Sequence, residues 1–127
     1  MEFPGDVRYS RSHEWVRIDG PRMLIGITDY AQDALGDIVY VSQPVVGTTV
    51  AEGDPVAEVE STKSVSDIYA PVAGTIVAIN EALGGSPELV NKDPFGEGWI
   101  FAVEPAGGDA LGAMLDAQAY QDFVSKG

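Results

Sequence analysis

The sequence predicts a single, mainly β domain built as a sandwich or barrel of short antiparallel strands. Apolar and polar residues alternate over short runs, and clusters of Gly, Pro, Asn and Asp separate these runs. Helical signals are few and short. The 127 residues suit one domain over 1–127, because a chain of this length can bury a core without a partner.

The first predicted element is a β-hairpin. Val16 and Ile18 alternate with Trp15 and Arg17, and the same alternation sets residues 23, 25 and 27 against 24 and 26. Asp19-Gly20-Pro21 supplies turn residues between the two runs. Five further strands follow by the same reasoning. They cover residues 38–41, 56–60, 65–69, 75–79 and 99–103.

Two short helical segments are predicted from capping residues. Asp29, with Gln32 three residues later, is expected to cap a helical turn that ends at Gly36. The tripeptide Ser86-Pro87-Glu88 places a capping residue before a proline at the first helical position, which predicts a second turn.

A longer helix is predicted at the C-terminus, over about 116–125. Asp116 precedes it, and one of its faces is apolar, so we expect that face to pack on the sheet. The piece 105–109 before it is expected to be a joint within one domain. The residues of the apolar face are Ala117, Tyr120, Phe123 and Val124.

The charge balance narrows the choice of partners. Asp and Glu number 20 against 7 Lys and Arg, which gives a net charge of -13. Such a chain repels phosphate backbones and anionic membranes and favours basic surfaces on other proteins, so we expect neither nucleic acid nor membrane as a partner. The start of the sequence lacks a basic segment followed by an apolar run, and we expect a cytoplasmic protein.

The sequence contains no cysteine, so its own side chains provide neither a disulfide nor a thiolate ligand or nucleophile. Any sulfur redox chemistry must therefore come from an added group. No serine triad or metal-ligand cluster accompanies the single histidine, His13, which we interpret as structural. We expect neither catalytic residues nor a metal site.

Lys63 is one of only three lysines, and it lies where the chain is expected to reverse. If 56–60 and 65–69 pair as antiparallel strands, residues 61–64 form a tight turn that projects the ammonium from its tip. An enzyme could then close around this tip and modify the amine. The tetrapeptide alone leaves a second interpretation open, a solvated turn lysine.

The wider segment resembles the attachment site of lipoyl domains. Val59-Glu60-Ser61-Thr62-Lys63 is followed at matching distances by Ala70-Pro71 and Gly74, and the segment 46–54 resembles the turn that precedes this hairpin. Biotin carriers share the fold but usually have methionine on both sides of the lysine. Thr62 and Ser64 stand there instead, which favours lipoate over biotin.

The resemblance extends to the H-protein family of the glycine cleavage system, over nearly the whole chain. Thr62 and Ser64 depart mildly from that family, where Val and Ala are more usual, but both are small enough to leave modification possible. The segment 105–115 matches least well. The segments that carry the resemblance are His13-Glu14-Trp15-Val16, 26–32, 35–39, Glu60-Ser61-Thr62-Lys63 with Ser66-Asp67, and 94–99.

This resemblance implies a fold and a function. The fold is a lipoyl/biotinyl-carrier-like barrel-sandwich hybrid of two antiparallel sheets, with short helices and a C-terminal helix. The function is that of a non-enzymatic carrier, with lipoate attached to Lys63 by a lipoylating enzyme. Glycine decarboxylase loads an aminomethyl group onto the arm, a folate-dependent aminomethyltransferase unloads it, and dihydrolipoamide dehydrogenase reoxidises the dithiol. The arm reaches roughly 14 Å from the lysine Cα, and a monomer is expected.

The resemblance also implies a cleft that shelters the loaded arm from water. Ile27, Ala31 and Leu35 would form its apolar bed, and Glu14 and Asp67 would supply negative charge to the aminomethyl ammonium. Glu60 is expected to help the lipoylating enzyme recognise the turn. The matching cleft positions are Ser12, Glu14, Ile27, Ala31, Leu35 and Asp67.

Each cleft residue also has an ordinary structural interpretation. Glu14 shares strand parity with Val16 and Ile18 and could simply end a core-facing row at the solvent edge. Asp67 could be an exposed strand residue, and the apolar three could be core. Three alternative functions stay open: a relay of lipoyl or octanoyl groups to other enzymes, a biotin carrier, and an unmodified acidic β-module that binds partners.

Overall fold

The computed structural model describes residues 1–107 and 111–126. Its strands form two antiparallel sheets, a six-stranded sheet in the order β1-β2-β3-β9-β8-β5 and a three-stranded sheet in the order β4-β6-β7. The predicted arrangement of two antiparallel sheets with short helices and a C-terminal helix is confirmed, and in the described residues no closed barrel forms.

The strands are β1 (Arg8–Tyr9), β2 (Glu14–Asp19), β3 (Arg22–Ile27), β4 (Ile38–Ser42), β5 (Thr49–Val50), β6 (Pro55–Ser61), β7 (Val65–Tyr69), β8 (Gly74–Ile79) and β9 (Phe101–Pro105). The helices are α1 (Asp29–Leu35), α2 (Ala82–Gly85), α3 (Leu89–Lys92) and α4 (Ala117–Lys126). None of the helices in the described part of the chain is long and apolar enough to cross a bilayer.

The predicted strand at 99–103 starts two residues too early. The Asn80 side chain donates to the carbonyl oxygens of Glu97 and Trp99 at 2.7 and 2.8 Å, so an amide side chain takes acceptors that a neighbouring strand would otherwise use. The ladder between β8 and β9 begins only at Phe101. Two two-residue strands, β1 and β5, and the helix α2 were not predicted, because they are too short to show a period.

Both short-helix caps were predicted at the wrong residue. Thr28 caps α1, since its Oγ1 accepts a hydrogen bond from the backbone N of Ala31 at 3.2 Å, whereas Asp29 is the first helical residue. The helix does end before Gly36, as predicted. Ser86 follows α2, and α3 begins at Leu89 without a side-chain cap.

The C-terminal helix is present with bounds shifted by one residue. Asp116 precedes it, as predicted, and also caps it, because its Oδ1 accepts from the backbone N of Ala119 at 2.8 Å. Tyr120 is fully buried and stacks on Tyr9, with ring centroids 4.5 Å apart. The predicted joint at 105–109 lies partly outside the described residues.

The main core lies between the two sheets, and a smaller aromatic cluster lies beneath α4. Trp15 in that cluster packs against Gly26 across the β2–β3 ladder, and a Cβ at Gly26 would lie 2.8 Å from the indole. A glycine is therefore required for the indole to reach its buried position. The buried residues of the cluster are Val7, Tyr9, Trp15, Phe95 and Tyr120.

Candidate functional site

Lys63 lies at the exposed tip of the hairpin formed by β6 and β7. Ser61, only 6% exposed, organises this turn. Its Oγ accepts hydrogen bonds from the backbone N of Lys63 at 3.2 Å and of Ser64 at 3.0 Å, and its backbone N donates to the Ser64 carbonyl at 2.8 Å. These bonds fix the backbone from which the Lys63 side chain departs.

The tip is also attached to the connection between α1 and β4. The backbone N of Thr62 donates to the Asp37 carbonyl at 3.1 Å. Gly36, at the end of α1, has a φ of +86°, and a Cβ there would lie 3.4 Å from Cε of Lys63. The lysine side chain therefore passes directly over the end of α1, where glycine both permits the left-handed φ and leaves room.

A pocket of about 260 Å³ lies beside this helix end. Leu35, which precedes Gly36, belongs to its wall, so the pocket begins next to the residue over which the lysine passes. The six predicted cleft residues all line it; their role toward an arm stays a prediction. The lining residues are Ser12, His13, Glu14, Ile27, Tyr30, Ala31, Ala34, Leu35, Val59, Ser66, Asp67 and Ile68.

Glu14 is the most unusual residue of this wall, because its side chain is buried to 1% exposure. Its Oε1 accepts hydrogen bonds from the hydroxyls of Ser10 at 2.5 Å and Ser12 at 2.7 Å, and its Oε2 accepts from the backbone N of Tyr69 at 3.3 Å. Burial raises the pKa of the Glu14 carboxyl, and these hydrogen bonds partly oppose the rise. The carboxylate is thus partly desolvated and contacts no cationic side chain among the described residues.

The ordinary structural interpretation of Glu14, as the end of a core-facing row at the solvent edge, is wrong. Glu14 and Val16 are both buried, and the exposed end of that row is Ile18, at 61% exposure. The row therefore reaches solvent at the opposite end of β2. The reason is that residues 10–13 and the edge of β7 cover the start of β2, as the hydrogen bonds to Ser10 and Tyr69 show.

Asp67 and Glu60 both lie on the exposed face of the three-stranded sheet. Asp67 forms part of the pocket wall, but it is exposed and pairs with Glu58 across the β6–β7 ladder. Glu60 pairs with Tyr40 on one side and Val65 on the other, both 58% exposed. Glu60 is therefore open to a partner that approaches the lysine turn, whereas Asp67 sits at the rim of the pocket.

His13 occupies a packed position at the back of the pocket. Its φ is +70°, and its Nδ1 lies 2.8 Å from the hydroxyl of Tyr120, which in turn lies 2.7 Å from Oγ1 of Thr28. Burial lowers the pKa of the His13 imidazole, so the neutral ring is favoured. These contacts connect α4 to the start of α1, in agreement with a structural role.

Sequence reasoning missed three supporting residues: Ser10, Ser61 as the organiser of the turn, and Asn91. Asn91 donates to Oε1 of Gln32 and to the Gly36 carbonyl, both at 2.9 Å, and accepts from the backbone N of Ile38 at 2.8 Å. It thereby holds the helix end beneath Lys63. No periodicity in the sequence signals such a contact.

The comparisons with known proteins agree with this geometry. The family model described as "Glycine cleavage H-protein" matches residues 7–127. The chain belongs to the glycine cleavage H-protein family. Relatives named glycine cleavage system H protein include one from Thermus thermophilus, 57% identical over 124 residues that cover 98% of this chain and 97% of the relative. Another, from Mycolicibacterium smegmatis, is 54% identical over 129 residues that cover 98% of both chains.

A solved structure supports the same assignment. The crystal structure of a glycine cleavage system H protein from Mycobacterium marinum superposes with a TM-score of 0.84, at 41% sequence identity, and covers 97% of each chain. H proteins are the lipoyl carriers of the glycine cleavage system, so membership implies lipoate as the carried group and the other components of the system as partners.

The residues of this H-protein-family chain fit a lipoyl group. Ile27, Ala31 and Leu35 give the pocket apolar surface for a hydrocarbon arm, and the pocket volume of about 260 Å³ begins at the helix end over which Lys63 passes. An arm of roughly 14 Å attached to Lys63 would start beside this wall. It would also be free to extend outward, because Lys63 is exposed.

Proposed function

We propose that the protein is a non-catalytic carrier that bears lipoate in amide linkage on Lys63. The observation that supports this proposal best is the position of the lysine, at an exposed hairpin tip whose side chain passes over Gly36 into the neighbourhood of an apolar pocket. When bound, lipoate supplies the disulfide and dithiol chemistry with which the family transfers aminomethyl groups. The chain has no sulfur nucleophile of its own, since it lacks cysteine.

The turn residues present Lys63 to the lipoylating enzyme. Ser61 holds the backbone of the turn, so a modifying enzyme meets a defined shape, and the small side chains of Thr62 and Ser64 leave space around the ammonium. We propose that Glu60 contributes to this recognition, because it is exposed and pairs with Val65 where the two strands enter the turn. A cationic side chain of the enzyme would pair with it.

The pocket residues would protect an aminomethyl ammonium in the docked position. Ile27, Ala31 and Leu35 exclude water along the arm, and the buried Glu14 offers an acceptor that no cation satisfies in the described structure. An ammonium near Oε1 or Oε2 would relieve the desolvation of the carboxylate. Ser12 and Asp67 lie at the same wall and could accept further hydrogen bonds.

The proposed partners are glycine decarboxylase, the aminomethyltransferase and dihydrolipoamide dehydrogenase, together with the lipoylating enzyme. The net charge of -13 favours encounter with basic surfaces on these proteins. We expect the carrier to work as a monomer in the cytoplasm, because a small mobile carrier can visit each enzyme in turn.

Intact mass spectrometry of the protein from its native host tests the proposal. A lipoyl increment is expected in the wild type and in Lys92→Arg, a control at an exposed lysine on α3, and no increment is expected in Lys63→Arg. A biotinyl increment would support a biotin carrier, and an unmodified wild-type chain would support the simple binding module. Undiminished glycine cleavage in cells that carry only Lys63→Arg would contradict the carrier function itself.

A further inference from the structure

A second cavity, of about 470 Å³, lies on the other side of Glu14. Ser12 and Glu14 line both cavities, whereas Ser10 lines only the second one. Glu14 therefore stands in the wall between the two spaces, and Ser10 contacts it from the side that faces away from the proposed arm.

Ser10 makes a closed set of hydrogen bonds with Glu14. Its Oγ donates to Oε1 at 2.5 Å and accepts from the backbone N of Glu14 at 2.9 Å, and its backbone N donates to the Glu14 carbonyl at 2.9 Å. Both the backbone and the carboxylate of Glu14 are thus held by one residue. Ser12 donates to the same Oε1 at 2.7 Å but makes no comparable backbone bond.

We propose that Ser10 is a positioning residue that holds the Glu14 carboxylate from the second cavity. Ser10 thereby leaves the Ser12 hydroxyl free to turn toward a cation in the pocket of about 260 Å³, called here the arm pocket. An ammonium group has only donors, so it needs acceptors from the wall. If Ser12 were the sole hydroxyl donor to Oε1, turning it would leave that buried oxygen without a hydroxyl partner. With Ser10 in place the carboxylate keeps its orientation and one hydroxyl donor. This inference rests on the proposed function, because it concerns the same pocket.

Charged and titratable groups approach Glu14 from each side. Arg11, Glu52 and Tyr69 line the second cavity; His13, Tyr30 and Asp67 line the arm pocket; and Tyr120 on α4 interacts electrostatically with Glu14. The donors bonded directly to the carboxylate are the hydroxyls of Ser10 and Ser12 and the backbone N of Tyr69. Removal of one hydroxyl should therefore act on the ionisation of Glu14 more strongly than these more distant groups do.

The first test uses the full chain without lipoate and follows the Glu14 carboxyl carbon by NMR across a pH titration. Ser10→Ala is expected to raise the pKa of Glu14, because a donor to the charged form is lost, and Ser10→Thr is expected to restore it. Ser10→Cys keeps a similar volume with a weaker donor and is expected to raise the pKa as well, which provides a second variant should the alanine protein not fold. Ser125→Ala, at an exposed position on α4, is the control.

The second test measures formaldehyde release from the lipoylated, aminomethyl-loaded protein, in which water converts the aminomethyl thioether to the thiol, formaldehyde and ammonium. Ser10→Ala is expected to release formaldehyde about tenfold faster, equivalent to about 1.4 kcal/mol, and Ser10→Thr is expected to release it at the wild-type rate. An unchanged pKa, or a raised pKa with unchanged release, overturns the inference. A chain that is never lipoylated in its host overturns the proposed function instead, and the first test does not depend on that result.

Discussion

The contact between α4 and the back of the pocket yields a prediction for Tyr120→Phe. The hydroxyl of Tyr120 lies 2.8 Å from Nδ1 of His13 and 2.7 Å from Oγ1 of Thr28, and the tyrosine is fully buried. The substitution keeps the ring, and with it the stacking on Tyr9, but removes the hydroxyl that joins these two polar atoms. Thr28 keeps one bond, from the backbone N of Ala31, whereas Nδ1 of His13 loses its partner.

The size of the effect follows from these partners. Leaving a fully buried polar group without a hydrogen bond costs about 1–3 kcal/mol. Because His13 is only half-buried, we expect the free energy of unfolding to fall by about 1 kcal/mol, the lower end of that range. For 127 residues, an unfolding entropy of about 2.1 cal/mol/K per residue converts this loss into a fall of about 4 °C in Tm. Tyr40→Phe, at a tyrosine that is 58% exposed, should change the free energy of unfolding by less than about 0.5 kcal/mol.

Urea denaturation followed by far-UV circular dichroism is a suitable assay, because it gives the midpoint and the slope separately. The expected result is a lower midpoint with an unchanged slope in Tyr120→Phe and an unchanged midpoint in Tyr40→Phe. Equal midpoints for Tyr120→Phe and the wild type would refute the reasoning that this hydroxyl supports the pocket wall. A changed slope would show that the unfolded state or the cooperativity had changed instead.

Three further predictions follow from single residues. Ser61→Ala removes the acceptor that organises the lysine turn, so we expect it to lower the free energy of unfolding by about 1 kcal/mol. We also expect it to lower kcat/KM for enzymatic lipoylation, measured by mass spectrometry. An unchanged kcat/KM would contradict the role of the turn shape. Because the pKa of His13 is lowered in the folded chain, the unfolded chain binds a proton more readily once the pH falls below the ordinary value of 6.5. The free energy of unfolding should therefore fall as the pH is lowered below that value, and it should fall less steeply in His13→Asn. Gly26→Ala should cost about 1–3 kcal/mol because its Cβ would meet the Trp15 indole at 2.8 Å. Gly84→Ala in α2 should be neutral or stabilising by thermal unfolding, because among the described residues its Cβ would meet no atom within 4 Å beyond its chain neighbours and its own helix.

The sequence predicted the parts of the fold that depend on local pattern. The hairpin of β2 and β3, the strands on both sides of Lys63 and the amphipathic α4 each carry a period that sequence alone displays. The predicted boundaries were wrong where a single side chain decides them. The Asn80 side chain takes the Trp99 carbonyl oxygen before β9, and Thr28 caps α1 in place of Asp29. These choices depend on which atoms come together in three dimensions, and periodicity does not record them.

The same distinction applies to the site. Family resemblance named six residues that the structure brings around one pocket, but it did not show that Glu14 is buried or that Ser10 holds it. The contact between His13 and Tyr120 joins residues 107 positions apart, and the bonds of Asn91 to the end of α1 span more than 50. Contacts of this kind require the packed fold, because nothing in either local segment specifies the other.

On the proposed function, the buried carboxylate of Glu14 would let the pocket favour a small cation without a strong pull on the unloaded arm. Glu14 lies at the start of β2, in the six-stranded sheet, and its Oε2 accepts from the backbone of Tyr69 in the three-stranded sheet, so the carboxylate bridges the two sheets at the pocket. Its raised pKa shows that three hydrogen bonds do not fully compensate its loss of water. An ammonium in the pocket would supply the missing compensation, whereas an uncharged arm would not. On that proposal, the cost of desolvating Glu14 would fall only when the charged cargo is bound. A preference for the loaded over the empty arm would then come from the carboxylate rather than from the apolar wall, which both forms would contact alike.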